Sequence, residues 1–338
     1  MIKPFSLASL DDLAGLVDKL PTSDATAAQA ARARQDTLTK PPGSLGLLEE
    51  LAVFMAGWRG TARPSIDRAQ ALVFAGNHGI CAQGVNPFPQ VVTAQMVQNF
   101  RTGGAAINQL CAVNGAELSV IPLDLDKPTR DFTAEPAMSA GECLDALNRG
   151  AEAVDAEADI LVLGEMGIGN STIAAALACA LFGGRAEDWV GPGAGADNAG
   201  VARKVAAIEA GLTLHPERDA VSVLCTFGGR EQAAICGAVL AARARRIPVL
   251  LDGFICTAAA ALLHAVDERL LDHALIGHVS AEPGHRRLLQ ALGKRPVLDF
   301  DMRLGEGTGA ALALGVVRAA LACHNGMATF DEAGVSGA

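Results

Sequence analysis

Short apolar runs recur along the chain at residues 71–75, 118–122, 160–163, 221–225, 249–251, 275–278 and 297–300. They are nearly continuous and bounded by glycine, proline or aspartate, which is how strands buried on both faces read. Longer alanine-rich stretches at 92–111, 171–181, 199–212, 231–244 and 309–322 have the length and composition of helices. Strand, turn and helix in alternation predict an α/β fold, a parallel sheet with helices on both faces.

The first sixty residues follow another pattern. Helical spacing runs through 7–20 and 26–39, the rigid Lys40-Pro41-Pro42-Gly43-Ser44 interrupts it, and a further helix is expected over 47–58. No strand pattern precedes Gln70. The expected organisation is a small helical domain over 1–66, completed by 309–338, beside a large α/β domain over 67–308.

Composition then excludes several classes. The 338 residues are 50% hydrophobic and 19% charged, with a formal net charge of −10. That is enough apolar material for a large core. It lacks the cationic surface that non-specific nucleic-acid binding needs to displace counterions. The most apolar stretch, 247–266, contains Pro248, Asp252, Gly253 and His264, so a strand, a turn and a helix explain it better than a bilayer span. Met1-Ile2-Lys3-Pro4-Phe5 is soon followed by Asp11 and Asp12, which does not fit a signal peptide. Eight cysteines form no Cys-x-x-Cys pair, and most of them read as small buried side chains in a reducing compartment. A cytoplasmic protein with no nucleic-acid or membrane partner is expected.

Ligands of parallel sheets bind beyond the carboxyl ends of the strands, and the unusual residues gather there. After 160–163 come Gly164-Glu165-Met166-Gly167-Ile168-Gly169-Asn170-Ser171-Thr172 and then a helix. Glycines and a helix N-terminus suit a phosphate. An ordinary turn with a side-chain cap is the plainer alternative, although it leaves Glu165 unexplained. Gly191-Pro192-Gly193-Ala194-Gly195-Ala196 fits Gly-x-Gly-x-x-Ala, but without the preceding strand that motif requires. Lys204, early in the next helix, either brings a point charge to a phosphate or faces solvent.

Gly76-Asn77-His78-Gly79 follows the first strand, and His78 there meets an aromatic base or bonds within its own turn. The stiff loop 83–90, with Pro87 and Pro89, is placed to line a pocket. Asp252-Gly253, His278 and Ser280-Ala281-Glu282 repeat the strand-end pattern. Near the C-terminus, Arg303-Leu304-Gly305-Glu306-Gly307-Thr308-Gly309 folds three glycines around one carboxylate. Partly desolvated, such a carboxylate gains basicity and serves as a general base, while the plainer alternative is a helix cap. No zinc spacing joins the histidines, and neither a Walker A sequence nor a Gly-x-Ser-x-Gly elbow is present. No metal and no cofactor is expected.

Taken in order, Lys40-Pro41-Pro42-Gly43-Ser44-Leu45-Gly46, Gly164-Glu165-Met166-Gly167, Leu250-Leu251-Asp252-Gly253-Phe254, Ser280-Ala281-Glu282 and Met302-Arg303-Leu304-Gly305-Glu306-Gly307 resemble one known family. It is the nicotinate-nucleotide–dimethylbenzimidazole phosphoribosyltransferases, also called CobT, and the resemblance runs over roughly 38–321. It implies a Rossmann-like parallel sheet with a smaller domain built from both chain ends, and a homodimer.

It also implies a reaction. Nicotinate mononucleotide gives its 5-phosphoribosyl group to 5,6-dimethylbenzimidazole, forming α-ribazole 5′-phosphate and nicotinate for the lower ligand of cobalamin. By the same resemblance Glu306 is the general base and Glu165 a second catalytic carboxylate. Glu165, Gly167, Gly193, Lys204 and Ser280 hold phosphate and ribose, Asn77 and His78 lie by the aromatic base, and Leu304 joins the substrate-binding set. Two positions depart from the family pattern. Asn77 stands where some members have aspartate, and Arg230 where others have phenylalanine, which bears on the identity of the acceptor.

Two alternatives stay open. One is the same donor with another acceptor, such as adenine, a different benzimidazole or a phenol. The other is a non-catalytic nucleotide-binding protein. Pyrophosphate-dependent phosphoribosyltransferases are set aside, because 249–253 lacks their second acidic residue and Thr-Gly.

Overall fold

The computed structural model describes residues 5–336. Residues 1–4 of the opening segment, on which part of the signal-peptide reading rests, lie outside that span, as do the last two residues of the expected helical domain.

Six strands form one parallel sheet: β1 (Ala69–Ala75), β2 (Ala116–Pro122), β3 (Ile160–Met166), β4 (Val249–Leu251), β5 (Ala274–His278) and β6 (Pro296–Leu298). Their spatial order is β2-β1-β3-β4-β5-β6. The helices are α1 (Ala25–Thr37), α2 (Leu47–Arg59), α3 (Val91–Arg101), α4 (Ala106–Asn114), α5 (Ala140–Glu152), α6 (Asn170–Phe182), α7 (Asn198–Leu214), α8 (Ala220–Phe227), α9 (Arg230–Ala244), α10 (Phe254–Val266), α11 (Pro283–Leu292) and α12 (Thr308–Gly326). A four-residue helix, Phe330–Ala333, follows. No helix among the described residues is long and apolar enough to cross a membrane.

The apolar runs of β1 and β3 have the cause expected of them, whereas 118–122 and 297–300, at the sheet edges, are not buried on both faces but half-buried, with Phe300 exposed. Leu72 and Phe74 of β1, with Leu161 and Leu163 of β3, enter one core with residues of α5, α6, α9 and α10. Ala71, Val73, Ile160 and Val162 point the other way, into a second core with α2, α4 and α12. Both faces are covered, so neither has a reason to be polar.

Three further expectations are corrected. Residues 221–225 are not a strand but lie inside α8, where Asp219 accepts a hydrogen bond from Ser222 N at 3.0 Å and caps the helix. A five-residue apolar run does not distinguish a buried helical turn from a strand. The stretch 92–111 is two helices, interrupted at Gly103 (φ 82°) and Gly104. The stretch 7–20 is a pair of 3-10 turns, Leu10–Leu13 and Leu16–Lys19, broken at Gly15 (φ 67°).

The chain ends meet. Arg34 of α1 donates to the carbonyls of His324 (2.8 Å) and Met327 (3.0 Å), and Leu38 forms an antiparallel bridge with Thr329. In the sheet, β1 is followed by β2 on one side, and the chain then resumes with β3 on the other. A crevice opens beyond the carboxyl ends of the strands at such a reversal, and that is where the site lies.

Candidate active site

A cavity of about 730 Å³ opens beyond the ends of β3, β4 and β5. Glu165, Gly167, Gly193, Lys204, Ser280, Leu304 and Glu306 all line it, brought together from segments far apart in sequence. Val85, Pro87 and Phe88 of the proline-stiffened loop form another part of its wall.

Glu165 is not in a loop. β3 continues to Met166, pairing Phe74 with Glu165 and Ala75 with Met166, so the strand itself carries the carboxylate. Gly164 is required one residue earlier. A Cβ there would lie 2.5 Å from Gly307 N and 2.6 Å from the carbonyl carbon of Glu306, so only glycine lets the Glu306 turn rest on β3. That turn places Gly305 (φ 84°), Glu306 (φ 63°) and Gly307 (φ 86°) successively in the left-handed region. For glutamate this is strained backbone, the kind that persists where function over-determines it.

The floor of the cavity is acidic. Asp252, the residue after β4, is wholly buried between the two glutamates and His278. Its Oδ2 accepts from Gly307 N at 3.0 Å and its Oδ1 from Ala310 N at 2.9 Å, while His278 Nε2 stands 3.6 Å from Oδ1. Burial, then the charges of Asp252 and Glu231, push the Glu165 pKa up to about 8, and the hydrogen bond from Asn170 Nδ2 pulls it back. Burial and then Asp252 raise Glu306 to about 7. Asp252 itself is raised by burial and drawn back by His278 and the backbone N–H groups.

The opposite wall is built around a cation. Lys204 is buried rather than solvent-facing, and its Nζ donates to Ser171 Oγ and Gly191 O, each at 3.0 Å. Glu282 accepts from Gly193 N at 2.9 Å, and Arg303 donates to Gly193 O at 3.0 Å. The Gly193 N–H is therefore already engaged. α6 begins at the cavity with Gly169 as its N-cap and no side-chain cap. The alternative of an ordinary turn with a side-chain cap does not hold, since Asn170 donates to Glu165 and Ser171 accepts from Lys204.

Asn77 and His78 lie behind the wall rather than on it. Asn77 Nδ2 donates to Leu125 O at 2.8 Å. His78 Nε2 is 2.7 Å from Glu231 Oε1, both side chains fully enclosed and not aligned as a hydrogen bond. A Cβ on Gly167 would come within 2.8 Å of His78 Nε2, so the histidine backs that glycine. Arg230 is also off the cavity, paired with Glu142 at 3.1 Å and donating to Lys127 O at 2.6 Å.

Asp252, His278, Glu282 and Arg303 line the cavity without standing among the expected site residues. The signal of the first three was position, at or just after the ends of β4 and β5. Arg303 stands three residues before Glu306, inside the motif that carries the resemblance, but is assigned no role there.

This arrangement agrees with what the chain is similar to. Residues 20–335 match the family described as Phosphoribosyltransferase. The nicotinate-nucleotide–dimethylbenzimidazole phosphoribosyltransferase of Rhodobacter capsulatus is 64% identical over 98% of this chain and 99% of its own. The protein of the same name from Ruegeria pomeroyi is 58% identical over 98% and 99%. The crystal structure of the Thermus thermophilus enzyme of that name superposes with a TM-score of 0.86, at 42% identity, over 93% of this chain and all of the other. The parallel sheet, its helices and its strand-end cavity are thus those of a transferase acting on small molecules, and the chain belongs to this phosphoribosyltransferase family.

Proposed function

We propose that the protein transfers the 5-phosphoribosyl group of nicotinate mononucleotide to 5,6-dimethylbenzimidazole, yielding α-ribazole 5′-phosphate and nicotinate in cobalamin synthesis. The observation that carries this is the pairing, in one cavity, of a carboxylate tuned to about 7 with a buried lysine beside an uncapped helix N-terminus. The first suits a base and the second a phosphate monoester.

The donor nitrogen is quaternary, so the C1′–N bond breaks with its electron pair passing to nicotinate and no proton needed. C1′ gains oxocarbenium character, which the ionised Glu306 carboxylate stabilises. One acceptor nitrogen forms the new bond from the opposite face, inverting β to α. The proton on the other nitrogen passes to Glu306. Phe88, Met96 and Leu304 provide an apolar surface for a flat aromatic acceptor, while Lys204, Ser280 and the start of α6 hold the phosphate and ribose. Glu165, mostly protonated at neutral pH, serves as a hydrogen-bond donor to the donor sugar. His78 acts from behind, by supporting Gly167, while Asn77 ties its turn to Leu125 O.

The same reading takes the chain to be a cytoplasmic homodimer. Its helical domain would be formed by 1–66 and 309–338 beside 67–308, a division supported by the ties between α1 and the end of α12. The test is mass spectrometry of products from nicotinate mononucleotide with a panel of bases. An α-ribazole phosphate formed preferentially from 5,6-dimethylbenzimidazole is expected. Preferential use of adenine or a phenol would reassign the acceptor. Donor binding without release of nicotinate with any acceptor would leave a binding protein.

A further inference from the structure

The turn that presents Glu306 is held only in part from within, where Gly305 O accepts from Thr308 N at 3.1 Å and from Thr308 Oγ1 at 2.7 Å. Three successive left-handed residues precede α12, whose N-cap, Gly307, has no side chain to cap it. A further restraint, on Gly307 and Ala310, comes from another part of the chain. Asp252 receives Gly307 N on one carboxylate oxygen and Ala310 N on the other, at 3.0 and 2.9 Å. Only a carboxylate accepts at both oxygens, and a buried one does so without competition from water.

We infer that Asp252 is a positioning residue for Glu306, fixing the 305–307 turn to the end of β4 and placing a negative charge behind the catalytic carboxylate. The inference rests on Glu306 as the base. The ionisable groups facing Glu306 are Asp252 beyond β4, Glu165 of β3 and His278 of β5, with Arg303 on its own segment and Lys204 and Glu282 across the cavity. Arg303 donates to Gly193 O, and Lys204 to Ser171 Oγ and Gly191 O, while Asp252 is the charge that, after burial, raises the Glu306 pKa. His278, 3.6 Å from Asp252, favours its ionised form. Glycines at 253 and 309 leave the room that the His278 ring occupies.

The experiment is a cycle of Asp252→Asn, Glu306→Gln and the double variant in the full-length enzyme, reading kcat, donor KM and the pH profile. The amide keeps the shape but offers one acceptor oxygen and no charge. Asp252→Asn is expected to lower kcat roughly 10–10²-fold, as a displacement of about 1 Å does, with little change in donor KM. The acidic limb of its residual activity moves to lower pH, because Glu306 ionises more readily once the neighbouring charge is gone. In the Glu306→Gln background the same change adds less than about twofold. Fully additive losses, or a limb that does not move, overturn the inference and leave Asp252 a helix cap.

Undiminished turnover in Glu306→Gln is a different failure, that of the base assignment itself. If Asp252→Asn does not fold, Asp252→Glu keeps the charge and displaces the carboxylate by one methylene. Its kcat is expected to fall with the limb in place, and a kcat within about twofold of the parent overturns the inference.

Discussion

The two ends of the cavity handle charge in opposite ways. At the floor, Glu165, Asp252 and Glu306 crowd together with His278 as their basic neighbour. Burial and like charge act in the same direction there, raising Glu165 to about 8 and Glu306 to about 7. At the wall, burial lowers Lys204 and raises Glu282, and each partner draws the other back toward its charged form. Frustrated charge yields groups that exchange protons near neutrality, whereas paired charge yields a fixed electrostatic anchor. One end is suited to chemistry and the other to holding the substrate.

If that contrast is right, substitutions at the two ends should separate kcat from KM. The largest effect is expected for Glu306→Gln, with kcat reduced roughly 10²–10⁴-fold and donor affinity largely kept. Equal loss of donor binding would erase the distinction. Lys204→Ala should raise donor KM roughly 10–10²-fold, the value of one or two charge-assisted hydrogen bonds, with a smaller change in kcat. An unaltered KM would detach the lysine from the phosphate. Phe88→Ala, at the half-open apolar rim, should raise acceptor KM roughly 5–20-fold and leave donor KM alone. Initial-rate kinetics with each substrate varied would read all three.

The smallest effect concerns stability. Glu165 and Glu306 have folded-state pKa values above the ordinary value of 4.5, so the folded protein binds more protons than the unfolded chain in between. Their stabilising contribution is complete below about pH 4.5 and is lost as pH rises through 7 and 8. Melting temperature should therefore decline across that window, and Glu165→Gln should flatten the decline. A melting temperature that climbs from pH 6 to 8, with no difference between parent and variant, would mean the floor is not charge-frustrated.

Much of the fold was readable from sequence because strands covered on both faces leave a plain apolar signature. β1, β3, β4 and β5 show it, and α8 shows why the signature is ambiguous when the run is short and the helix beneath it is also buried. The site was readable where chemistry and glycine coincide, as at Glu165 and Glu306. It was less readable where a side chain acts across the fold. Nothing near Asp252 in sequence indicates that its carboxylate reaches two N–H groups more than fifty residues later. Nor does the Asn77-His78 pair reveal that Glu231, from a distant helix, turns the histidine away from the cavity. Arg230 is likewise drawn off by Glu142, a partner from another helix.

The left-handed glutamate has a consequence for anyone evolving this protein toward heat resistance. Glycine at 306 would relieve backbone strain on the order of 1 kcal/mol and also remove a desolvated carboxylate. A library screened for survival alone would favour that replacement and discard the reaction with it. Selection for durability and selection for turnover pull in opposite directions at this position. Glutamate at 306 therefore records which of the two has prevailed.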